Sequence, residues 1–340
     1  MNKDKNIPFI SVVIPMYNEE SYIQECLFSL IGQNYPKDKY EIIVVDGNSE
    51  DHSREKVSEI AKKNLLIKIY NNSKRIIPVS FNIGIEKAKG EIIIFVGAHA
   101  ICEKDYISQC VFLLNNTDAS NVGGIQNAVG TDYISHGISF AMLSPFGVGN
   151  AYFHFYKKEK FVDSVWGGAY RKETLIKLGG FDETYIKNQD YELNYRLRKM
   201  GGKIFLSPKI KCKYFVRNSI KKLASQYFKY GYWKVKIINE HPDSIMLRQM
   251  VPPVFVISLI ISIILLLLNL SIGFFIPMIY FFINLLFSIQ ISYTKGFKYI
   301  LILPIIFFTI HISWGIGFIV GLKKFGLPKL DLQTLLRYFK

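Results

Sequence analysis

The sequence is poor in cysteine and has no cysteine pair spaced for metal or redox chemistry. Its four cysteines, Cys26, Cys102, Cys110 and Cys212, are scattered over 340 residues without a CxxC spacing. This distribution indicates neither a zinc site nor a disulfide framework, so reduced thiols in a cytosolic setting are expected. A GxGxxG turn is also missing after the first predicted strand, which disfavours a dinucleotide-dependent dehydrogenase.

The N-terminus lacks the apolar stretch of a secretory signal peptide. The first ten residues, MNKDKNIPFI, are too polar for one, so we expect that the soluble part is not exported. Acidic residues are also in deficit, with 27 Asp plus Glu against 42 Lys plus Arg and a formal charge of +15. A basic balance of this size indicates a polyanionic partner, which can be nucleic acid, acidic lipid or a diphosphate.

The positive charge is densest between Lys209 and Lys236, where it alternates with tyrosine, phenylalanine and tryptophan just before the hydrophobic region. Basic and aromatic residues beside a bilayer segment are typical of a lipid headgroup interface. We therefore predict contact with anionic membrane lipid and no nucleic-acid partner.

Three long apolar stretches occupy the C-terminal part of the chain. Each approaches the roughly 20 residues that a spanning helix needs. They lie at about Val254–Leu270, Ile272–Ile291 and Tyr299–Val320. None contains Asp, Glu, Lys or Arg, so a transporter with charged groups buried in its spans is not supported.

The number of membrane crossings stays open between two and four. The first two stretches predict a tight hairpin, which returns Lys295 and Lys298 to the side of entry, as the positive-inside rule expects for a cytoplasmic soluble domain. A third crossing would carry the basic tail, 323–340, to the outside, against that rule. Pro304 and His311 leave a re-entrant or interfacial third segment open, and the tail is predicted to be a surface amphipathic helix.

The N-terminal part alternates short apolar runs with helical patterns. The runs are Ile10–Pro15, Glu41–Asp46, Ile67–Tyr70 and Glu91–Val96. Their lack of polar alternation predicts parallel strands buried on both faces. Strands that alternate with helices in this way indicate a doubly wound α/β sheet, whose ligand site lies at the carboxyl ends of the strands.

Acidic residues stand at those strand ends and at a predicted helix start. Asp46 ends the second strand, where it can accept hydrogen bonds from a base imide or a ribose hydroxyl; a helix cap or an Asx turn is the alternative. Leu193, Leu197 and Met200 repeat at helical spacing, so Asp190 falls in the first turn of a helix. The helix dipole there keeps a carboxylate ionised and able to accept a proton.

Six segments form a larger pattern over roughly residues 9–235: SVVIPMYNEE, VVDGNSEDHS, SFNIGIEKAKGEIIIFV, WGGAYRKETLIKLGGFDE, NQDYELNYRLRKMGGKIFLSP and QYFKYGYWK. In order and spacing they resemble the family 2 inverting glycosyltransferases, and most of all the branch of succinoglycan-type exopolysaccharide glucosyltransferases. The resemblance implies an α/β chain with the GT-A fold, a Rossmann-like mixed sheet with flanking helices, followed by C-terminal transmembrane helices.

The resemblance also implies a donor site. Pro15, Tyr17, Glu19 and Asp46 would line the nucleobase and ribose of a nucleotide sugar, with Asp46 as the base contact. Asn82 would lie near the nucleotide; a polar contact at a helix start is the alternative for this residue.

By the same resemblance, Asp190 is the candidate catalytic base. Asp182 and Glu183 are the alternative candidates for the base, and they would shape the acceptor side of the site. Gly167 and Gly168 would let the sugar approach the backbone closely, although two glycines alone indicate only a turn.

Further along the chain, Gln226, Lys229 and Tyr230 stand where related membrane synthases carry Gln-x-x-Arg-Trp. There they would contact the diphosphate and stack on the acceptor sugar. An interfacial amphipathic helix is the alternative for this segment.

The metal position departs from the family pattern. The family usually ends its fourth strand with Asp-x-Asp, which binds a divalent ion on the diphosphate, whereas this chain has Gly97-Ala98-His99. His99 takes the second position and is the candidate ligand for Mn²⁺ or Mg²⁺. The alternative is that His99 is a local turn residue.

Together these observations predict an inverting hexosyltransferase that moves a hexose from a nucleotide sugar, a UDP-sugar, to a lipid-linked glycan acceptor in exopolysaccharide or cell-surface glycan synthesis. We expect a multi-pass protein of the inner or plasma membrane with a cytoplasmic catalytic domain, and other synthase subunits are candidate partners. The predicted boundaries are 1–217 for the catalytic domain, 218–250 for interfacial helices, 251–322 for the membrane region and 323–340 for the tail. The alternative function is a catalytically silent nucleotide-sugar-binding subunit of a membrane glycan synthase.

Overall fold

The computed structural model describes residues 7–149 and 151–328. Its internal contacts divide the chain into two units. The sheet unit comprises Met1–Asn127 and Tyr152–Tyr214, and the helical unit comprises Ala128–Ala151 and Phe215–Lys340. The segment from Ala128 to Ala151 therefore groups with the C-terminal helices, although the sequence boundary at 217 placed it in the N-terminal domain.

Nine strands occur in the described part of the chain. They are β1 (Ile10–Met16), β2 (Tyr40–Asp46), β3 (Ile67–Asn71), β4 (Ile92–Phe95), β5 (Ala100–Cys102), β6 (Asn121–Val129), β7 (Lys160–Phe161), β8 (Trp166–Arg171) and β9 (Ile204–Phe215).

Twelve α-helices are described beside them. They are α1 (Ile23–Ile31), α2 (Ser53–Lys63), α3 (Ile77–Lys87), α4 (Tyr106–Asn116), α5 (Tyr133–Met142), α6 (Pro145–Val148), α7 (Lys172–Lys177), α8 (Gln189–Lys199), α9 (Ile220–Glu240), α10 (Leu247–Leu267), α11 (Phe275–Lys295) and α12 (Ile302–Phe325).

The strands form one mixed sheet in the order β3-β2-β1-β4-β8-β6-β9-β5, with β7 paired to β9. The first four strands are parallel, and β8 joins β4 in the antiparallel direction. All four strands predicted from the sequence are present with ends within one residue of the prediction. The predicted mixed sheet with flanking helices is confirmed.

The sheet is buried on both faces because β1, β2 and β4 carry apolar side chains on both faces at nearly every position, the exceptions being Ser11, Glu41 and Asp46. Val12 and Ile14 of β1 face a core that includes residues of α1 and α4. Val13 between them faces the opposite core, which includes residues of α3 and α8. Successive residues of a strand point to opposite faces, so an unbroken apolar run is what two covering layers require.

The helical unit contains the predicted membrane segments. Three helices in the described range are long and apolar enough to cross a membrane: Leu247–Leu267, Ser271–Lys295 and Ile302–Phe325, with mean hydropathies of 2.8, 2.1 and 2.0. The predicted tail begins inside α12, which includes Lys323 and Lys324, and its remainder from 329 onward lies outside the described residues.

Candidate active site

The candidate site lies at the sheet edge where the parallel strands end. Met16 of β1 pairs with Asp46 of β2, and Val13 pairs with Phe95 at the end of β4. Strand β8 runs against β4 with Ala169 opposite Ile94, so its first residues continue past the carboxyl end of β4. The edge therefore gathers residues from the ends of β1, β2 and β4 and from the start of β8, as the doubly wound pattern predicted.

Asp46 is held tightly at this edge. Its Oδ1 accepts hydrogen bonds from Ser49 N (3.1 Å) and Ser49 Oγ (2.7 Å), and its Oδ2 lies 2.9 Å from Arg54 Nη1. The side chain is 1% exposed. A carboxylate has about four lone-pair sites, and three are used here, so the predicted role as a base contact is limited to one further hydrogen bond. The Ser49 contacts are those of the Asx-turn alternative.

Tyr17 presents an aromatic face beside Asp46. Its ring is 42% exposed, and the guanidinium of Arg75 lies 5.7 Å from the ring centroid. Arg75 also pairs with Glu50 at 2.7 Å. Pro15, half-buried in β1, lies opposite Val45. An exposed ring with a cation above it can stack a planar base.

Glu19 and His99 meet directly, although the sequence placed them in different roles. His99 Nδ1 lies 2.9 Å from Glu19 Oε1. An ionised carboxylate only accepts, so Nδ1 carries the proton of the hydrogen bond and the lone pair of the neutral imidazole is on Nε2. The His99 ring also packs edge-on against Tyr214 at 4.9 Å, and Tyr214 contacts Trp166 at 5.8 Å.

This tautomer is the one that a metal-binding histidine adopts. Ligating imidazoles commonly donate their other N–H to a carboxylate, which fixes the ring. Gly97 contributes no side chain, and no group of three or more His, Cys, Asp or Glu residues that could hold a metal is found within 7–149 and 151–328. Among the described residues at the end of β4, His99 is therefore the candidate that could offer a nitrogen to a metal.

Asn82 contacts protein groups. From α3 its Nδ2 donates to Phe181 O (2.8 Å) and to Glu183 Oε1 (3.2 Å), and its Oδ1 accepts from Phe181 N (2.8 Å). Glu183 Oε2 pairs with Lys74 Nζ at 2.9 Å, and this hydrogen bond lowers the pKa of the Glu183 carboxyl, with Asn82 adding to the effect. Asn82 thus joins α3 to the loop before α8, a link that neither sequence interpretation included.

Asp182 shapes the same loop. Its Oδ1 accepts hydrogen bonds from Thr184 N (2.8 Å) and Thr184 Oγ1 (2.7 Å). These are the contacts of a turn-stabilising Asx motif.

The start of β8 brings backbone close to the edge. Gly167 has φ +60 and accepts a hydrogen bond from Tyr106 Oη at 3.2 Å. A Cβ on Gly168 would lie 2.6 Å from Asn121 Oδ1. Both positions therefore require glycine, Gly167 for its backbone angle and Gly168 for its close neighbour.

Asp190 stands in the first turn of α8, as the helical spacing predicted, and it is exposed. Its Oδ1 accepts from Tyr191 N at 2.9 Å. Burial raises the pKa of the Tyr170 hydroxyl, and the negative charge of Asp190 raises it further.

A buried network positions α8 one turn beyond Asp190. Asn194 Oδ1 accepts from Tyr170 Oη (2.9 Å) and Asn121 Nδ2 (2.8 Å), and Asn194 Nδ2 donates to Ser164 Oγ (3.0 Å). Asp190 precedes Asn194 by one turn, about 6 Å along the helix. Tyr170 thereby links β8, the strand that begins with Trp166 and Gly167, to the helix that carries Asp190.

Gln226, Lys229 and Tyr230 lie on α9 in the helical unit. Gln226 Nε2 donates to Tyr230 Oη at 2.9 Å, and Arg217 Nε donates to Gln226 Oε1 at 3.2 Å. Lys229 is exposed. The amide and the aromatic residue of this motif are thus partners of each other.

Sequence reasoning missed Arg54, Tyr170 and Asn194. Arg54 had a weak sequence signal, since it stands in the first turn of α2, after the short polar loop that follows Asp46. No sequence signal indicated Tyr170 or Asn194, because a buried Asn–Tyr contact between a strand and a helix produces no periodic pattern in the sequence. Both support residues that the motifs did identify.

Comparison with known proteins agrees with this geometry. A family model described as glycosyl transferase family 2 matches residues 11–179. The chain is 33% identical over 333 residues to the dolichyl N-acetyl-alpha-D-glucosaminyl phosphate 3-beta-D-2,3-diacetamido-2,3-dideoxy-beta-D-glucuronosyltransferase of Methanococcus voltae, which covers 93% of this chain and 98% of the relative. It is 29% identical over 243 residues to the succinoglycan biosynthesis protein ExoA of Rhizobium meliloti (strain 1021), covering 71% of this chain and 73% of that protein.

The fold is shared with solved structures. The mannosyltransferase PcManGT from Pyrobaculum calidifontis, in complex with GDP-Man and Mn²⁺, superposes with a TM-score of 0.54 at 21% identity, over 69% of this chain and 64% of that one. The chain thus spans slightly less than two thirds of that structure, and the likeness concerns the fold. The predictions of the GT-A fold and of glycosyltransferase activity are confirmed. By its motifs, its sheet and its full-length relative, the chain belongs to glycosyl transferase family 2.

Proposed function

We propose that this glycosyltransferase acts with inversion, with Asp190 as the base, and transfers a hexose from a UDP-sugar to a lipid-linked saccharide at a membrane. The observation that carries the proposal is the placement of Asp190, an exposed carboxylate in the first turn of α8 whose charge acts on Tyr170 of β8. The positive end of the helix dipole keeps this carboxylate ionised.

Inversion needs one base on the acceptor side of the anomeric carbon. Asp190 would accept the proton of the attacking acceptor hydroxyl, while the donor's diphosphate leaves from the opposite face. Gly167 and Gly168 bring backbone rather than side chain to the sugar, which leaves room for the ring. Asn194 and Tyr170 would act indirectly, because their hydrogen bond holds the part of α8 that carries Asp190.

The donor nucleotide would lie over the ends of β1 and β2. Tyr17 would stack on the base beneath Arg75, with Pro15 and Glu19 along the same wall. Asp46 would contribute its one remaining acceptor site to the base or ribose. The Asn82 contacts with Phe181 support a positioning role for that residue instead of a nucleotide contact.

A divalent metal, Mn²⁺ or Mg²⁺, would be held through Nε2 of His99. When bound it would neutralise the departing diphosphate. Glu19 would hold the His99 ring in the tautomer that leaves Nε2 unprotonated.

The acceptor and location follow from the helical unit and the relatives. The Methanococcus voltae relative is named for a dolichyl phosphate-linked substrate and the Rhizobium meliloti relative for succinoglycan biosynthesis. Three apolar helices and a basic, aromatic α9 support residence in the plasma membrane with the sheet unit in the cytoplasm and contact with anionic lipid. Gln226, Lys229 and Tyr230 would face the diphosphate of the acceptor lipid. The product would enter exopolysaccharide or cell-surface glycan synthesis.

The test is transfer of labelled hexose from UDP- and GDP-sugars to a membrane lipid extract by the purified full chain. Asp190→Asn should lower kcat by about 10² to 10⁴ while calorimetry shows unchanged UDP affinity. Asp118→Asn is the matched control, since its exposed carboxylate pairs with Lys203 and has no predicted role in the site, and it should retain most activity. Transfer by Asp190→Asn at the wild-type rate would remove the base assignment. UDP binding without transfer by the wild type to any acceptor would support the silent-subunit alternative.

A further inference from the structure

We infer that Cys102 and Cys212 form an oxidation site, at which a peroxide joins their sulfurs in a disulfide between β5 and β9 and thereby displaces His99. The formation of the disulfide is independent of the proposed function and depends on the sheet unit alone. The effect on His99 rests on the metal role that the proposed function gives to this residue, so the two parts are tested separately.

The fold brings together cysteines that are scattered in the sequence. All four are free and buried thiols, and all four belong to the same apolar core of the sheet unit. Within 7–149 and 151–328, two of the sulfurs are in contact: Cys102 Sγ lies 3.1 Å from Cys212 Sγ, across a separation of 110 residues in the sequence. No CxxC spacing accompanies this pair, because the contact arises from the pairing of β5 with β9.

The backbone geometry of the pair suits a disulfide. Cys102 and Cys212 stand directly opposite each other on antiparallel strands. Glu103 N donates to Lys211 O at 3.1 Å. Cys102 N donates instead to Ser29 Oγ of α1, also at 3.1 Å. The two cysteines therefore occupy a non-hydrogen-bonded position of the ladder, where opposite Cα atoms lie about 4.5 Å apart. That separation falls within the range of about 4.4 to 6.8 Å that a disulfide bridges.

The chemistry of the pair needs one peroxide and no further reagent. One thiol, reacting as its thiolate, attacks an oxygen of hydrogen peroxide; the O–O bond breaks, a sulfenic acid forms and water leaves. The second sulfur then attacks the sulfenic sulfur, so that the S–S bond forms and the hydroxyl leaves as a second water. The two thiols lose two electrons and two protons, all of which end in the two waters. A reducing dithiol reverses the oxidation by thiol–disulfide exchange.

Burial keeps the pair reduced while the sheet is closed. Cys102 is 5% exposed and Cys212 is 2% exposed. Burial raises the pKa of the Cys102 thiol, and the neighbouring Cys212 sulfur raises it further. Because the thiolate is the nucleophile, a buried and protonated thiol reacts slowly with peroxide. Oxidation therefore requires a local opening that exposes the two thiols.

Strand β5 is the element whose opening exposes them. It has three residues, Ala100–Cys102, and it stands at the end of the strand order beside β9. An edge strand has a row of backbone groups without a neighbouring strand, so fewer hydrogen bonds hold it in the sheet. Local opening of such a short element costs less free energy than unfolding of the whole sheet. The hydrogen bond from Cys102 N to Ser29 Oγ is one of the contacts that keep β5 closed.

The disulfide acts on His99 through the strands that carry the two sulfurs. His99 immediately precedes β5. Tyr214 stands opposite Ala100 in the strand pair and packs against the His99 ring at 4.9 Å. Formation of the S–S bond shortens the sulfur separation from 3.1 Å to about 2.05 Å and so draws β5 toward β9. The contact of His99 Nδ1 with Glu19 Oε1, 2.9 Å in the reduced protein, is the one that this movement disturbs. A misplacement of about 1 Å lowers activity by up to about a hundredfold.

Oxidation of the purified full chain by hydrogen peroxide tests the site without any measurement of sugar transfer. After treatment in detergent, the remaining thiols are blocked with N-ethylmaleimide, and the peptides are mapped by mass spectrometry without reduction. The expected product is one intramolecular disulfide, Cys102–Cys212, which dithiothreitol removes. Cys102→Ser and Cys212→Ala should each abolish it. Cys110→Ser is the matched control, because Cys110 is buried in the same core, and this variant should still form the disulfide.

The rate of oxidation tests the opening of β5. Ser29→Ala removes the oxygen that accepts Cys102 N, so it should raise the rate about fivefold, the effect of one lost hydrogen bond on the opening equilibrium. Ser58→Ala is the matched control, since the Ser58 hydroxyl serves the Arg54 carbonyl within α2, and its rate should equal that of wild type. An unchanged rate in Ser29→Ala would refute the opening of β5. A disulfide to Cys26 or Cys110, or no disulfide in the folded chain, would overturn the site itself.

Binding of Mn²⁺ in the presence of UDP tests the effect on His99. After removal of the peroxide, the oxidised chain should bind Mn²⁺ at least about tenfold more weakly than the reduced chain, measured from the Mn²⁺ EPR signal. Reduction, followed by removal of the reductant, should restore binding, and Cys102→Ser should show no change on peroxide treatment. Equal Mn²⁺ binding by the reduced chain and the chain with the mapped disulfide would overturn the effect on His99. If the reduced wild type binds no Mn²⁺, the metal role in the proposed function fails, whereas the mapped disulfide still decides the oxidation site.

Discussion

Substitution of Asn82 by alanine tests whether this residue stabilises the fold by linking α3 to the loop before α8 or contacts the nucleotide. The side chain makes three hydrogen bonds across a sequence separation of about a hundred residues, two of them to the backbone of Phe181. Phe181 is 4% exposed, so water cannot readily replace the lost partners. The fit is close, because a Cβ on Gly180 would lie 2.7 Å from Asn82 Oδ1.

The expected loss of stability follows from the backbone N–H and C=O of Phe181, which would lose their partner. A buried donor or acceptor left unsatisfied costs about 1 to 2 kcal/mol, so Asn82→Ala should lower the free energy of unfolding by about 2 to 4 kcal/mol. For a unit of this size 1 kcal/mol corresponds to about 2 to 4 °C, and the Tm should fall by roughly 5 to 10 °C. UDP affinity of the folded protein should change by less than about threefold, since a positioning role leaves direct contacts intact.

The assay is thermal unfolding of the purified full chain in detergent at one fixed scan rate, combined with calorimetric titration of UDP below the transition. Asn116→Ala is the matched control. Asn116 is exposed, and its Nδ2 serves only the carbonyl of Phe112 on the same helix, so its Tm should stay within about 1 °C. A tenfold loss of UDP affinity with an unchanged Tm would show that Asn82 contacts the nucleotide. It would refute the structural link between α3 and the loop before α8.

Three further outcomes are expected. Burial disfavours ionisation of Glu41, but Lys68, Lys89 N and Ser11 together lower its pKa below 4.5. Its contribution is therefore present above that pH and lost below it, so the Tm difference between wild type and Glu41→Gln should stay constant from pH 7 to about 5 and shrink as the pH falls below 4.5. Gly84→Ala should lower the Tm by several degrees, since its Cβ would lie 2.2 Å from Val13 Cγ1 and overpacking costs about 1 to 3 kcal/mol; an unchanged Tm would mean that α3 shifts freely. Glu19→Gln should weaken Mn²⁺ binding in the presence of UDP by about 10- to 100-fold, measured from the Mn²⁺ EPR signal. The control Glu20→Gln should leave Mn²⁺ binding unchanged. Equal Mn²⁺ binding by wild type, Glu19→Gln and His99→Ala would exclude His99 as a ligand.

The sequence predicts the parts of this fold that are encoded locally. The four parallel strands are found within one residue because their apolar runs have no competing period. The first turn of α8 is found because Leu193 and Leu197 repeat at helical spacing and glycines end the helix. Family motifs then identify the edge at which Asp46 stands and the helix that carries Asp190.

The parts that depend on distant partners could not be predicted. The Asn82 contact with Phe181 and the His99 contact with Glu19 join residues 99 and 80 positions apart, and no local pattern records such pairs. The same holds for α5, whose packing partner has no local signature in the sequence. That partner is α12, more than 160 residues later, so the grouping of Ala128–Ala151 with the helical unit appears only in the structure.

The Glu19–His99 pair lies at the strand end where the family pattern has Asp-x-Asp. In that motif both carboxylates come from one strand end, whereas here Gly97 contributes none and Glu19 approaches His99 from the end of β1. With a neutral imidazole the pair carries one negative charge. That charge is on Glu19, which contacts Nδ1, whereas the nitrogen proposed to bind the metal is Nε2. Mg²⁺ prefers oxygen ligands, while Mn²⁺ tolerates imidazole better. Under the proposed metal role, binding with UDP should therefore favour Mn²⁺ over Mg²⁺, and His99→Asp should narrow that preference; a wild-type preference for Mg²⁺ would contradict ligation by His99.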